Sequence, residues 1–358
     1  MSDGDGEDDV APPHPREATH WFGHAEAERA LLDAYRGVRM PHAWLIGGAP
    51  GIGKATLAYR MARFVLAHPD PSVAAVQSAR TLALPSDHRM VRLVAAQGHP
   101  DLLVLERRPG DSGALRTTIA VDDVRKLVPF FGSTAGEAGW RVVVVDAADE
   151  LNAAGANALL KLLEEPPPRA LFLIVSHAPG RLLSTIRSRC RRLQLRPLAP
   201  ADVGQAAAVA LGRSPEDADI AKAAAAAEGS VGRAVALLGG PLLAVRERVI
   251  ELLDRLPAID PRALHALGDS LERADRAVLA TFVDATREWL SAQLPAANGG
   301  RAPQPSAATG AAAARHLAGL AQAWDNVNRT AREVEVFNLE RKPFVFKVFG
   351  WLAAAARG

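Results

Sequence analysis

The sequence predicts an α/β fold with a parallel sheet, followed by a helical region. A short apolar run at 43–46 leads into a glycine-rich loop and then into residues 54–66, which have a helical composition. Two more apolar runs, 141–146 and 170–175, are typical of buried strands and are separated by a helical segment. Strands that alternate with helices indicate a doubly wound parallel sheet.

The remaining elements follow from apolar spacing and from helix breakers. Residues 25–37 have the spacing of an amphipathic helix, and the apolar run at 102–105 predicts a further strand. Residues 121–131 predict a helix with two aspartates in its first turn, where a negative charge is favourable. A helix is predicted over 153–165, and the three prolines at 166–168 end it.

Composition divides the chain into a tail and three domains. Residues 1–19 are acidic and rich in Gly and Pro, which predicts a disordered tail. We expect the α/β domain over 20–197, a small alanine-rich helical domain over 198–240 and a larger helical domain over 241–358. Within the last, residues 294–310 are rich in Pro, Gly, Ala and Ser and predict a flexible loop.

Overall composition excludes several classes of protein. The 358 residues contain one cysteine, which excludes a disulfide framework and a zinc site with several thiolates. One cysteine also fits a reducing cytosol, so we expect a cytoplasmic protein. The net charge of +2 does not by itself require a nucleic-acid partner. Neither a secretory signal nor an apolar run of about 18 residues is found, so no membrane span is expected.

The clearest motif is a phosphate-binding loop that runs from Gly48 to Lys54. The glycines Gly48, Gly51 and Gly53 allow backbone N–H groups to converge on phosphate oxygens, and Lys54 is expected to reach the β and γ oxygens. The alternative is a chance glycine-rich turn, but the strand before the loop and the helix after it favour the motif. A functional loop continues with Ser or Thr, whose hydroxyl binds Mg²⁺.

That hydroxyl is missing at the expected place. Ala55 follows the lysine, and Thr56 comes one residue late, about 100° further round the helix axis. We therefore expect the Thr56 hydroxyl to point away from the metal position. The loop is predicted to be real but degenerate.

A second catalytic position also lacks its usual residue. The four-valine strand ends in Asp146, the place of the acid that holds Mg²⁺ in P-loop ATPases. An active ATPase of this kind has Glu next to polarise water, whereas this chain has Ala147. We interpret Asp149 and Glu150 as a solvated cap for the helix that begins near Asn152. Two blank positions predict an ATPase fold that serves a purpose other than hydrolysis.

The third motif is an arginine-rich stretch, TIRSRCRR, at 185–192. Such stretches are usually solvated surface, but this one follows the strand 170–175 and a short turn. In a ring ATPase an arginine finger at this place enters the neighbouring subunit's site, where its planar fork neutralises the γ-phosphate. Within the stretch, Cys190 is expected to pack as a small buried apolar residue.

Together these stretches resemble the delta-prime family of bacterial DNA polymerase III clamp-loader subunits, which are AAA+ proteins. The most specific matches are the helix that ends in EEPP and the triplet Ser188-Arg189-Cys190. Asp-Ala-Ala-Asp at 146–149 resembles delta-prime rather than the active gamma/tau motor subunits. The matching stretches are 41–64, 99–107, 121–127, 141–167 and 182–198, and the C-terminal part is similar in character only.

The resemblance implies an AAA+ domain, a helical lid and a collar that holds a hetero-oligomeric ring. It implies that Arg189, framed by Ser188 and Cys190, is a finger offered in trans, and that the subunit has no activity of its own. The implied partners are gamma/tau and delta subunits, with the sliding clamp and primer–template DNA reached through the complex during DNA replication. No cofactor is required beyond weakly bound ATP or ADP. The implied degenerate nucleotide site comprises Gly48, Gly51, Gly53, Lys54, Thr56 and Asp146.

The chain departs from the family pattern in two places. Many members carry a four-cysteine zinc module, but residues 67–98 contain no cysteine, so neither zinc nor another metal is expected. The lid motif Gly-Ser-x-Arg has Gly232 in the arginine position and Arg233 one residue later, so we expect Arg233 to miss any phosphate.

Two alternatives remain open. An active gamma/tau-type ATPase would need a hydroxyl at position 55 and Glu at 147. A P-loop kinase or nucleotide switch acting alone would not explain the Arg189 motif or the two helical domains.

Overall fold

The computed structural model describes residues 13–37, 39–110, 113–132, 139–293 and 307–357. Most of the predicted acidic tail and most of the predicted loop 294–310 lie outside these residues. The chain divides into two compact units, Met1–Ala236 and Leu237–Gly358.

The first unit is built on a five-stranded sheet in which every pairing is parallel. The strand order is β2-β3-β4-β1-β5, so β1 is flanked by β4 and β5. The predicted α/β class with a parallel sheet is confirmed. The strands are β1 (Ala43–Gly47), β2 (Leu102–Glu106), β3 (Arg141–Asp146), β4 (Ala170–Ser176) and β5 (Arg191–Gln194).

Helices cover both faces of this sheet, and alternate strand residues enter two separate cores. Trp44 and Ile46 of β1 belong to one core, while Ala43 and Leu45 belong to the other. This period of two explains why the strands are apolar without interruption. The helices of the α/β part are α1 (Ala25–Arg36), α2 (Lys54–Ala67), α3 (Ala74–Ser78), α4 (Arg89–Ala95), α5 (Val121–Arg125), α6 (Leu127–Gly132), α7 (Ala153–Glu164) and α8 (Ser184–Arg189). The alanine-rich segment after β5 forms α9 (Pro200–Leu211), α10 (Ala218–Ala226) and α11 (Val231–Leu238).

Two local predictions differ from the structure. The single helix expected over 121–131 is divided into α5 and α6. The strand β5 was not predicted, because three of its four residues are polar and exposed. It lies at the edge of the sheet and pairs only with β1, and charged side chains are common on such edges.

The second unit is helical in its described residues, as the sequence predicts. Its core contains the aromatic rings of Phe282, Phe344 and Phe349 together with branched aliphatic side chains. In the residues that the structure describes, no helix is both long and apolar enough to span a membrane. The helices are α12 (Leu242–Asp254), α13 (Pro261–Glu272), α14 (Arg276–Gln293), α15 (Ala307–Phe337) and α16 (Arg341–Ala356).

Candidate functional site

The candidate site lies at the carboxyl edge of the parallel sheet. Strand β1 ends at Gly47, which pairs with Ser176 at the end of β4, and β3 ends nearby at Asp146. In open parallel sheets, ligands bind outside the carboxyl ends of the strands, at the point where the strand order reverses. The phosphate loop, Asp146 and the turn after β4 therefore meet at one edge.

The loop adopts backbone conformations that need glycine. Gly48, Gly51 and Gly53 have φ values of 145°, 72° and 95°. Gly51 is also closely packed, since a Cβ built on it would lie 2.3 Å from the Ser230 Oγ. The predicted glycine-rich loop is present, and the surroundings of Gly51 leave no room for a side chain.

Lys54 is folded back onto this loop. Its side chain is buried, and its Nζ donates a hydrogen bond to the Ala49 carbonyl oxygen at 2.5 Å. Burial lowers the Lys54 pKa to about 8, while the carboxylates of Asp146 and Asp149 act in the opposite direction. The ammonium that should meet a phosphate is thus paired with a backbone carbonyl.

Residues from the start of α11, where the lid motif lies, cover one side of the loop. The Ser230 hydroxyl donates to the Pro50 carbonyl at 3.0 Å, and the Gly232 N–H donates to the Gly51 carbonyl at 3.0 Å. A Cβ on Gly232 would lie 3.1 Å from the Gly51 Cα. Backbone thus packs directly on backbone on the carbonyl side of the loop.

Arg233, the arginine of the lid motif, pairs with a nearby carboxylate. The Arg233 guanidinium forms an ion pair with Glu228 at 2.5 Å. Its backbone N–H donates to the Ser230 Oγ at 3.1 Å, which caps the start of α11.

The segment before α1 covers another side of the loop. A Cβ on Gly53 would lie 3.3 Å from the ring of Trp21. The Nε2 of His24 is 3.1 Å from the Ile52 carbonyl oxygen, to which it can donate. Sequence reasoning missed Trp21 and His24, because neither belongs to a recognisable nucleotide motif.

The magnesium side of the site lacks its usual groups. Ala55 places a methyl group in the first turn of α2, and Thr56 is the next residue along the helix. Ala147 is buried and follows Asp146. Burial raises the Asp146 pKa to about 6, and Glu106 on the paired strand adds to the effect. These residues do not fit a nucleotide-bound Mg²⁺, and among the described residues no cluster of His, Cys, Asp or Glu is arranged to hold a metal.

Asp149 connects two strand ends. Its carboxylate accepts hydrogen bonds from the Ser176 hydroxyl at 2.9 Å, the His177 N–H at 2.6 Å and the Ala178 N–H at 3.1 Å. It therefore fixes the turn that leaves β4. This turn leads through a short 3-10 segment into α8, the helix that carries Arg189.

The interpretation of Asp149 and Glu150 as a helix cap is wrong. Asn152 caps α7 by itself, because its side-chain oxygen accepts from the Gly155 N–H at 2.7 Å. Glu150 forms an ion pair with Arg107 at 2.9 Å. Both acidic residues have partners distant in sequence, which a reading of adjacent residues does not consider.

Arg189 ends α8 with its guanidinium about one third exposed. Its Nη1 donates to the Thr185 carbonyl at 3.0 Å, and its Nη2 lies 2.7 Å from a Glu164 carboxylate oxygen. Ser188 is exposed, and its hydroxyl donates to the same Thr185 carbonyl at 3.1 Å. Cys190 is buried, as predicted, and burial raises its pKa to about 12. Arg189 therefore lies at the surface within this unit.

A family comparison identifies the matching part of the chain. Residues 23–199 match the family model described as DNA polymerase III, delta subunit. The match covers just under half of the chain. The resemblance to the delta-prime family, drawn above from motifs, is confirmed.

The curated relatives are delta' and gamma/tau subunits of DNA polymerase III. DNA polymerase III subunit delta' of Pseudomonas aeruginosa is 40% identical over 149 residues, which cover 42% of this chain and 41% of that protein. The Escherichia coli delta' subunit is 34% identical over 232 residues, or 62% of each chain. The gamma/tau subunit of Mycobacterium bovis is 32% identical over 165 residues, or 45% of this chain and 25% of that one. The chain thus spans less than two thirds of the length of the delta-prime relatives that it matches.

Two solved structures from Thermotoga maritima are more distant. A gamma-subunit-related protein covers 94% of this chain and 100% of its own at 17% identity, with a TM-score of 0.44. RuvB covers 76% of this chain and 81% of its own at 18% identity, with a TM-score of 0.39.

Proposed function

We propose that this chain is a non-hydrolysing, delta-prime-type subunit of a DNA polymerase III clamp loader, which helps to load the sliding clamp on primed DNA. The observation that carries the proposal is a phosphate loop whose lysine and carbonyls are engaged within the protein and which lacks the hydroxyl and the glutamate of an active ATPase at Ala55 and Ala147. Lys54 is bonded to its own loop, and Ser230 and Gly232 pack on Pro50 and Gly51. The family match of residues 23–199 supports the assignment to a clamp loader.

The proposal includes a specific role for Arg189. The guanidinium is partly exposed at the end of α8, as a group offered to a neighbouring subunit would need to be. Arginine suits a finger role, because its planar fork pairs with phosphate oxygens in two places. Ser188 and Cys190 frame it, the first exposed and the second buried. A subunit that offers this group in trans needs no hydrolysis of its own.

The assembly and its ligands belong to the same proposal. Gamma/tau and delta subunits are the expected neighbours, and clamp and primer–template DNA are reached through the complex. Residues 20–197 would form the AAA+ domain, 198–240 the lid and 241–358 the collar. The subunit would need no cofactor, although ATP or ADP could bind weakly if the lid opened.

Two measurements test the proposal. The isolated protein should release no phosphate from ATP above background. In the reconstituted loader, Arg189→Ala should leave assembly intact and reduce the ATPase rate at the site that Arg189 completes by roughly a thousandfold, the low end of the effect of losing a finger. Arg192→Ala is the matched control, since it removes an exposed arginine three residues away. An unchanged rate with Arg189→Ala would remove the finger role.

An active gamma/tau-type ATPase is the second candidate. The similarity to the Mycobacterium bovis gamma/tau subunit favours it, but Ala55 and Ala147 count against it. Phosphate release by the isolated chain that disappears in Lys54→Ala would support this candidate and contradict the first.

A further inference from the structure

The Arg189 guanidinium has a carboxylate partner within its own subunit. Glu164 is the last residue of α7, and its Oε1 lies 2.7 Å from the Arg189 Nη2. Both side chains are partly exposed, at 34% for Arg189 and 48% for Glu164. The ion pair therefore lies at the surface, where an approaching ligand can compete for the guanidinium.

The position of Glu164 is unfavourable within its own helix. A negative charge at a helix C-terminus is opposed by the macrodipole, whose negative end consists of the unsatisfied carbonyls of the last turn. The Arg189 guanidinium offsets this cost by supplying a positive charge from α8. Glu164 is thus better explained by its contact with Arg189 than by the needs of α7.

We propose that Glu164 is a positioning residue that holds Arg189 in the free subunit and competes with the neighbouring subunit's ATP for it. The inference rests on the proposed function, since it requires Arg189 to act in trans. A triphosphate offers the guanidinium more negative charge than one carboxylate does. When Arg189 turns to the γ-phosphate, the Glu164 carboxylate is left beside an anion and repels it. Glu164 therefore raises the ATP concentration at which the finger engages.

The size of the effect follows from the exposure of the pair. Exposed ion pairs contribute little, and each typically changes an equilibrium constant by a factor of about 1.4 to 5. Removing the Glu164 charge should therefore lower the KM for ATP about two- to five-fold in the assembled loader. The kcat should stay nearly constant, because the Arg189–phosphate contact is the same once it has formed.

The experiment compares Glu164→Gln with Glu165→Gln in the reconstituted loader. Glu165 is the adjacent exposed carboxylate, so its variant makes the same change in charge one residue away. We expect a lower KM in Glu164→Gln only, and the difference should shrink as salt is raised from about 50 to 500 mM, because salt screens exposed charges. In the isolated subunit, the NMR signal of the Arg189 guanidinium should shift in Glu164→Gln and not in Glu165→Gln.

Three outcomes would overturn the inference. These are an unchanged KM in Glu164→Gln, an equal effect in Glu165→Gln, or a fall in kcat with KM constant, which would mean that Glu164 supports the finger. If Arg189→Ala lowers the rate while Glu164→Gln leaves KM unchanged, the finger role survives and the competition is excluded. If Arg189→Ala has no effect, the proposed function fails first and this inference fails with it.

Discussion

Replacing Asp149 by alanine tests the connection between the end of β3 and the turn that leads to α8. The carboxylate accepts hydrogen bonds from the Ser176 hydroxyl and from the N–H groups of His177 and Ala178. A hydrogen bond to a charged group contributes about 1.5–3 kcal/mol net when it is shielded from water. Because Asp149 is exposed, water replaces part of what is lost. We expect local opening of the turn to become easier by about 1–2.5 kcal/mol.

Amide hydrogen exchange measures this opening directly. A loss of about 1–2.5 kcal/mol corresponds to roughly a 5- to 70-fold decrease in protection at His177 and Ala178. Glu150→Ala is the matched control, because it removes the adjacent carboxylate, which pairs with Arg107 instead. The reasoning is refuted if protection at the two amides is unchanged in Asp149→Ala, or if Glu150→Ala lowers it equally.

Two further predictions concern the closed loop. Gly51→Ala should lower the free energy of unfolding by more than roughly 1–2 kcal/mol, which is the cost of placing a residue other than glycine in the left-handed conformation. The additional loss arises because the new Cβ would meet the Ser230 Oγ. The added loss should be smaller in a Ser230→Ala background, and strictly additive losses would contradict the collision. The pKa of Asp146 is about 6 in the folded state, against an ordinary value of 3.8. The folded state therefore binds this proton more tightly than the unfolded state does, and the free energy of unfolding falls as pH rises through that interval. Asp146→Asn should therefore be increasingly stabilising relative to the wild type, by up to about 3 kcal/mol, as pH rises from 4 to 7, and a difference that is independent of pH would contradict this.

The predictable parts of the structure are those set by local sequence. Strands such as β3 and β4 are buried on both faces, so their residues are apolar without a break. The phosphate loop is predictable because only glycine tolerates its φ values. The edge strand β5 has no such pattern, since one of its faces meets solvent and it needs only one partner strand.

The less predictable parts of the site depend on contacts between distant residues. Ser230 bonds to Pro50 across 180 positions of the sequence, and Asp149 bonds to Ser176 across 27. Hydroxyls and carboxylates have many possible partners, and local spacing favours the nearest one. For this reason the local sequence predicts, wrongly, that Asp149 caps the helix next to it. The EEPP motif did draw attention to the segment that contains Glu164, but it did not indicate the contact with Arg189.

The folded protein itself requires Gly51 and Lys54 of the phosphate loop, but it does not require a hydroxyl at position 55. Gly51 must lack a side chain because Ser230 and Gly232 lie against it, and the Lys54 Nζ satisfies a loop carbonyl. These requirements hold whether or not a nucleotide binds. A hydroxyl at position 55 would serve only a bound metal, since the loop closes without one. Packing therefore accounts for the glycines and the lysine of the motif without any metal ligand. A phosphate-loop motif that lacks its metal ligand does not by itself indicate ATP turnover.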